Sequence, residues 1–87
     1  MKIVFHRHFA KRYAKLRAEE RHRCDVRLKL FASDTFNPLL DNHALHGVFV
    51  GCRSINIGGD LRALYEPTSG EEALFMHLGT HSELYDE

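Results

Sequence analysis

The sequence has no long uninterrupted apolar segment, although 44% of its 87 residues are hydrophobic. A membrane-spanning helix needs roughly 20 consecutive apolar residues, so the sequence predicts none. The apolar stretch at residues 3–5 is too short for a secretory signal. Cysteine is also scarce, because only Cys24 and Cys52 are present. Two cysteines cannot build a disulfide framework, and we interpret both as small core residues. A reducing cytoplasm is therefore the expected compartment.

Positive charge is nearly absent from the last two thirds of the chain. Residues 31–87 contain two Lys/Arg and nine Asp/Glu, whereas residues 1–30 contain ten Lys/Arg and three Asp/Glu. The formal net charge of zero therefore hides a strongly basic first third, which would attract phosphate groups. A solvated helix surface is the plain alternative explanation of the same charges.

Hydrophobic periodicity predicts one α+β domain over residues 1–87, with the element order β-α-α-β-β-β. Apolar residues spaced by three and four predict two helices, at about residues 8–17 and 20–33. Short or alternating apolar segments predict strands at residues 2–5, 53–57, 61–66 and 73–78. The last three strands should form an antiparallel meander, with the helical hairpin on one face of the antiparallel sheet. Residues 81–87 read as a tail or a helical turn.

Polar side chains gather around the sheet face that the helices leave open; they are His43, His46, Arg53, Asn56, Asp60, Arg62, His77, His81 and Tyr85. RNA can be cleaved without a metal when its own 2′-hydroxyl attacks the phosphate. That reaction needs a base, an acid and a cation to stabilise the added charge. Histidine suits proton transfer because its unperturbed pKa is about 6.5, and arginine donates two hydrogen bonds to a phosphate.

Plainer roles exist for several of these residues. His77 lies within a strand and favours a structural role, and Asp60 could simply bond within its own turn. Arg53 shares a strand face with two isoleucines, so a packed stem with an exposed charge competes with phosphate binding. The pair His43 and His46 resembles half of a zinc site, but no second ligand pair stands at matching spacing.

Four segments carry a family resemblance, and together they span about residues 8–85: HFAKRYAKL, NHALHGVFVGCRSINI, GGDLRALYE and LGTHSELY. In these segments the chain resembles the RelE/ParE toxin superfamily, most closely the YafQ branch of bacterial type II toxin–antitoxin modules. The resemblance implies the same β-α-α-β-β-β fold and a ribosome-dependent mRNA endonuclease that needs no cofactor or metal. It also implies a cognate antitoxin that binds the toxin in a hetero-oligomer and blocks it.

The resemblance also implies roles for individual positions. Catalytic residues of YafQ-like toxins fall on His43, Asp60 and His81, and a terminal aromatic that would contact a base falls on Tyr85. Arg62 matches an arginine that RelE-like members use to hold the scissile phosphate.

Three further expectations accompany this assignment. Arg53 matches a G-x-R arginine and would bind substrate. Asn56 stands where YafQ itself has a histidine, and an amide can donate a hydrogen bond but cannot transfer a proton. Lys11, Arg12 and Lys15 would dock on ribosomal RNA through phosphate contacts.

Two other functions remain open from the sequence. A ParE-like toxin with this fold would inhibit DNA gyrase by binding, and it would need no acid or base. A non-catalytic member would persist only as an antitoxin-binding module, and Asn56 is the residue that favours this reading.

Overall fold

A computed structural model describes residues 1–85. The strands are β1 Lys2–Phe5, β2 His43–Ala44, β3 Arg53–Gly58, β4 Leu61–Pro67 and β5 Glu72–Thr80. The helices are α1 Arg7–Ala14, α2 Ala18–Ser33 and α3 His81–Tyr85, and short 3₁₀ turns occupy Pro38–Leu40 and Gly47–Phe49. No helix within the described residues has the length and apolar character needed to span a membrane.

Both predicted helices are present, but the first ends at Ala14 rather than at about residue 17, so the break lies at residues 15–17. The break is stabilised locally, because the Glu20 carboxylate accepts the backbone N–H of Arg17 at 3.0 Å. Glu19 and Glu20 lie in the first turn of α2, where negative charge offsets the helix dipole. The charged stretch that interrupts the apolar pattern therefore starts the second helix.

The sheet has the strand order β1-β5-β4-β3-β2. Strands β3, β4 and β5 form the predicted antiparallel meander. Strand β1 pairs with β5 in parallel, so the sheet is mixed rather than wholly antiparallel. This pairing satisfies the backbone groups on the outer edge of β5. The two-residue β2, in a segment predicted as a loop, pairs with the start of β3.

Aromatic side chains hold the helices on one face of the sheet. Phe31 of α2 packs its ring 4.8 Å from Tyr65 and 5.2 Å from Phe75, measured between centroids. Phe9 of α1 lies 5.7 Å from Phe75 on the same core. Cys24 is fully buried among these residues, as predicted, and burial raises its thiol pKa to about 12. The predicted helical hairpin on one face is confirmed.

The opposite face of the sheet follows from the strand register. His43 is paired with Ser54, Ser54 with Leu64, and Leu64 with His77, so these four side chains share that face. Asn56 is paired with Arg62, and Arg62 with Gly79. A one-residue irregularity in the pairing of β4 with β5 keeps Tyr65 and Phe75 together on the helix side. The open face therefore carries four of the nine polar residues singled out by the sequence: His43, Asn56, Arg62 and His77.

Candidate active site on the open sheet face

A surface recess of about 450 Å³ lies on the open face, near the end of β5. Its walls combine side chains from β2, β3, β4 and α3: they are Asp41, His43, Leu45, Ser54, Arg62, His81 and Tyr85. Four of the residues predicted for the site thus line one recess. Two imidazoles, a guanidinium and a phenol are brought together from positions up to 42 residues apart.

Helix α3 places His81 and Tyr85 at the recess. It begins with a capping box, in which the Glu83 carboxylate accepts the Thr80 N–H at 2.8 Å and the Thr80 hydroxyl accepts the Glu83 N–H at 3.2 Å. The sequence Thr80-His-Ser-Glu83 has the spacing typical of such a start, and this signal favours the helical turn over a tail. Residues 86–87 lie outside the described part of the chain.

Arg12 fixes α3 to the rest of the molecule. Its Nη2 donates to Glu83 Oε2 at 2.7 Å, and its Nε donates to the carbonyl of Leu78 at 3.1 Å. The bond from the Thr80 amide, followed by the one from Arg12, lowers the pKa of Glu83 below its usual value. Arg12 is expected to dock on RNA, but its guanidinium is already bonded to Glu83 and to the Leu78 carbonyl.

The Arg62 guanidinium is held in place by backbone and side-chain acceptors. Its Nη1 donates to Asn56 Oδ1 at 3.1 Å and to the Gly59 carbonyl at 3.0 Å. The same Asn56 oxygen accepts the backbone N–H of Gly58 at 2.9 Å. Asn56 was expected to bind substrate, yet it does not line the recess. Its contacts instead position the arginine that does.

Asp60 adjoins His81 through the backbone. The Asp60 carbonyl accepts the His81 N–H at 3.2 Å, which brings the turn between β3 and β4 against the start of α3. The Asp60 side chain is exposed and forms no hydrogen bond or ion pair with residues 1–85. Asp60 is not among the residues that line the recess.

His43 extends from the short strand β2, with its side chain 51% exposed. Its Nδ1 lies 2.7 Å from the carbonyl oxygen of Asp41 and 3.8 Å from the Asp41 carboxylate. His46, its partner in the possible zinc pair, does not line the recess. Within residues 1–85, no cluster of three or more His, Cys, Asp or Glu side chains is arranged to hold a metal ion.

Arg53 lies on the other face of the sheet. Strand register pairs it with Tyr65, whose ring packs beneath α2. Its Nε donates to Asn42 Oδ1 at 2.8 Å, and its guanidinium lies 5.4 Å from the centre of the Phe36 ring. Side chains alternate along a strand, so Ser54 and Asn56 of β3 face the recess side of the sheet while Arg53 faces the helices. The structure therefore does not bring Arg53 to the recess.

A row of ring contacts, which sequence reasoning missed, connects two residues of the recess, His81 and Tyr85, to Phe49 and His77. Phe49 lies 5.7 Å from Tyr85 and 5.3 Å from His77, and the Tyr85 ring lies 4.7 Å from His81. The only signal in the sequence is Phe49 itself, an aromatic between two valines in a glycine-flanked loop. Tertiary packing, rather than local pattern, identifies it.

His77 continues this row toward helix α1. Its ring also lies 5.5 Å from the ring of His8. Burial lowers the pKa of His77, and the nearby His8 and His6 lower it further. His77 does not line the recess, and its packing between rings agrees with the structural role expected for it.

The two lysines expected to dock on RNA are both exposed on the surface. Lys11 lies within α1, and Lys15 follows its last residue. Lys15 lies next to the start of α3, because it lines another small recess together with Thr80 and Glu83.

The sequence matches, over residues 1–86, a family described as "Bacterial toxin of type II toxin-antitoxin system, YafQ". Among solved structures, YafQ from E. coli is 22% identical, with 97% of each chain covered and a TM-score of 0.75. The E. coli DinJ-YafQ complex contains a chain that is 20% identical, with 97% of each covered and a TM-score of 0.75.

A more distant fold relative is the RelB-RelE antitoxin-toxin complex from Methanococcus jannaschii, which is 20% identical, with 95% of each chain covered and a TM-score of 0.72. Identities at this level show a shared fold. None of the curated proteins compared with this sequence matches it.

Proposed function

Because the chain belongs to the YafQ family of toxins from bacterial type II toxin–antitoxin systems, we propose that it is a metal-independent endoribonuclease that cleaves mRNA on the ribosome and so inhibits translation. The observation that carries this proposal is the shared recess on the open sheet face. Two imidazoles, from His43 and His81, line it together with the Arg62 guanidinium. These groups match the needs of RNA cleavage by the 2′-hydroxyl.

In this mechanism one imidazole accepts the proton of the 2′-hydroxyl while the other donates a proton to the departing 5′-oxygen. Arg62 stabilises the charge that develops on the phosphate oxygens, since its geometry is fixed before substrate binds. Tyr85 offers an aromatic face to an unpaired base. Asp60, whose carbonyl accepts the His81 amide proton, would supply negative charge near the His81 imidazolium.

Ribosome binding would rest on the basic first third of the chain. Lys11 and Lys15 are exposed and would contact phosphates of ribosomal RNA, which makes binding sensitive to salt. Arg12 is not included among the residues proposed to contact ribosomal RNA, because its guanidinium is bonded to Glu83 and to the Leu78 carbonyl. Such an activity would take place in the cytoplasm, where ribosomes translate mRNA.

We further propose a cognate antitoxin as the regulatory partner. The E. coli and M. jannaschii structures each contain a toxin together with its antitoxin. The excess of positive charge in residues 1–30 would complement an acidic or amphipathic segment of such a partner. The two proteins would form a hetero-oligomer that inhibits the toxin.

Primer extension on translated mRNA tests the nuclease proposal. Induction of the wild-type toxin should arrest growth and produce defined cleavage ends. His81→Ala should abolish both, by about 10²–10⁴-fold in cleavage rate, with unchanged folding because His81 is exposed. The control His46→Ala changes an exposed histidine outside the recess and should retain activity.

Three outcomes would count against the proposal. Growth arrest with intact mRNA and damaged DNA would indicate gyrase inhibition instead. No arrest by the wild-type protein, together with tight antitoxin binding, would indicate a non-catalytic member. Full arrest by His81→Ala would remove that residue from the mechanism.

A further inference from the structure

Asp41, which the sequence did not single out, lies in an unusual backbone conformation beside His43. Among residues 1–85 it is the one non-glycine residue with a positive φ, at 46°. The left-handed region costs most residues about 1 kcal/mol, although Asp and Asn adopt it more readily. Asp41 ends the 3₁₀ turn at Pro38–Leu40, and its N–H donates to the Pro38 carbonyl at 3.2 Å.

The conformation of Asp41 directs its backbone carbonyl toward the His43 ring. The carbonyl oxygen lies 2.7 Å from Nδ1, whereas the carboxylate oxygen lies 3.8 Å away. The first distance is that of a good hydrogen bond and the second is not. A carbonyl oxygen can only accept, so Nδ1 must carry the proton, and Nε2 of the neutral ring keeps its lone pair.

Asn42, the residue between Asp41 and His43, connects this hydrogen-bonded pair to the core. Asn42 donates from Nδ2 to the Thr35 carbonyl at 2.9 Å and to the Tyr65 hydroxyl at 2.8 Å. Its Oδ1 accepts from Arg53 Nε at 2.8 Å. Because the Tyr65 side chain is almost fully buried, the position of Asn42 is set by the core. The carbonyl before it and the imidazole after it are therefore held in a defined geometry.

We propose that Asp41 is a positioning residue that fixes His43 in the Nδ1–H tautomer, so that Nε2 is the proton acceptor at the recess. This inference rests on the proposed nuclease function for its chemical meaning. It assigns which imidazole accepts the proton and which donates one, a choice that the presence of two imidazoles leaves open. The backbone carbonyl is the essential group, because an exposed ion pair at 3.8 Å contributes little.

His43 Nε2 takes the proton of the 2′-hydroxyl while the 2′-oxygen forms its bond to phosphorus. The bond from phosphorus to the 5′-oxygen breaks, and that oxygen receives a proton from the His81 imidazolium. The products are a 2′,3′-cyclic phosphate and a 5′-hydroxyl, with His43 protonated and His81 neutral.

Substitutions at Asp41 separate conformation from charge. Asp41→Asn and Asp41→Gly remove the carboxylate but readily adopt a positive φ, so the carbonyl should stay in place. Asp41→Val disfavours that conformation, because a β-branched residue is strained there. Asp41 is exposed, so none of these changes removes a core contact.

Long-range ¹H–¹⁵N correlation spectra of the ¹⁵N-labelled protein report the tautomer of His43 directly. The wild type, Asp41→Asn and Asp41→Gly should show Nδ1–H, whereas Asp41→Val should show a mixture of tautomers. In cleavage assays, Asp41→Val should lower kcat by about tenfold or more with little change in KM. Asp41→Asn keeps the carbonyl in place and should lower kcat by less than Asp41→Val does.

Two results would overturn the inference: Nε2–H in the wild-type protein, or an unchanged Nδ1–H tautomer in Asp41→Val. The spectra need no activity, so they remain decisive even when the protein cleaves no RNA. A protein with the expected tautomers and no cleavage would refute the nuclease proposal and leave the positioning of His43 intact.

Discussion

Asn56 Oδ1 accepts a hydrogen bond from Arg62 Nη1 at 3.1 Å across the hairpin of β3 and β4. The same oxygen accepts the Gly58 N–H at 2.9 Å, where the chain turns with a φ of 133° at Gly58. One amide therefore fixes both the hairpin end and the guanidinium. The absence of a histidine at this position need not remove activity, because His43 and His81 already supply two imidazoles to the recess.

We predict that Asn56→Ala lowers mRNA cleavage through Arg62. A hydrogen bond to a charged group contributes about 1.5–3 kcal/mol, so its loss should reduce cleavage by roughly tenfold or more. The double variant Asn56→Ala/Arg62→Ala should cleave no more slowly than Arg62→Ala alone. Single-turnover cleavage of ribosome-bound mRNA measures all three. If the two substitutions instead reduce the cleavage rate by factors that multiply, Asn56 does not act through Arg62.

The pairing of Asn56 with Arg62 could be predicted from the sequence. Once the turn at residues 58–60 is placed in a hairpin, these two residues lie opposite each other on one face. The same local logic predicted the helix faces and the meander, since periodicity of 3.6 or 2 marks the buried side. The capping box at Thr80 and Glu83 is equally local.

Long-range relationships could not be predicted in this way. The parallel pairing of β1 with β5 joins residues about 70 positions apart, and nothing in the short β1 segment specifies that partner. Arg12 is one of several basic residues in a charged helix, and nothing in its local sequence indicates its bond to Glu83. Such contacts depend on how elements pack, which local periodicity does not contain.

Helix α3 should depend on Glu83 for its attachment. Loss of an N-terminal cap typically costs about 1 kcal/mol, and the exposed ion pair with Arg12 adds less. We predict that Glu83→Ala speeds amide hydrogen exchange in residues 82–85 and slows cleavage, with little change in Tm. Lys29→Ala, an exposed change on α2, is the control and should leave exchange unchanged.

The contribution of Arg12 follows from a double-mutant cycle. Arg12→Ala should also speed amide hydrogen exchange in α3. The double variant Arg12→Ala/Glu83→Ala should exchange faster than Glu83→Ala only to the extent that the contact with Leu78 is also lost. Fully additive effects would show that the two residues stabilise α3 independently. Slower cleavage without faster exchange would place Glu83 in substrate binding instead.

Lys11 and Lys15 should carry a measurable part of ribosome binding. We predict that Lys11→Ala/Lys15→Ala weakens binding and lowers the salt dependence by about one to two units of log K against log salt concentration. Single-turnover cleavage at saturating toxin should change little, because neither lysine lines the recess of His43 and His81. Equilibrium binding to ribosomes at several salt concentrations provides the measurement.

A matched variant removes the same charge elsewhere. Lys2→Ala/Lys29→Ala changes two exposed lysines, one on β1 and one on α2. If this variant weakens ribosome binding as much as Lys11→Ala/Lys15→Ala, net charge rather than a docking surface determines affinity.

His77 should make folding stability depend on pH near neutrality. Its pKa in the folded protein lies below the ordinary value of 6.5, first because of burial and then because of His8 and His6. Between the folded and unfolded pKa values, the unfolded chain binds the extra proton. The free energy of unfolding should therefore fall as pH decreases through 6.5 and below. Above that value, the neutral imidazole of His77 causes no loss of stability.

Replacing the imidazole tests this assignment. In His77→Leu the dependence of stability on pH should weaken between about pH 7 and pH 5, while the loss at lower pH from carboxylates such as Glu83 should remain. His22→Leu, which changes an exposed histidine of α2, should keep the wild-type dependence. Urea unfolding across this range measures the slope. A wild-type slope in His77→Leu would show that His77 is not the source of this dependence, because a group contributes to the slope only when its pKa differs between the folded and unfolded states.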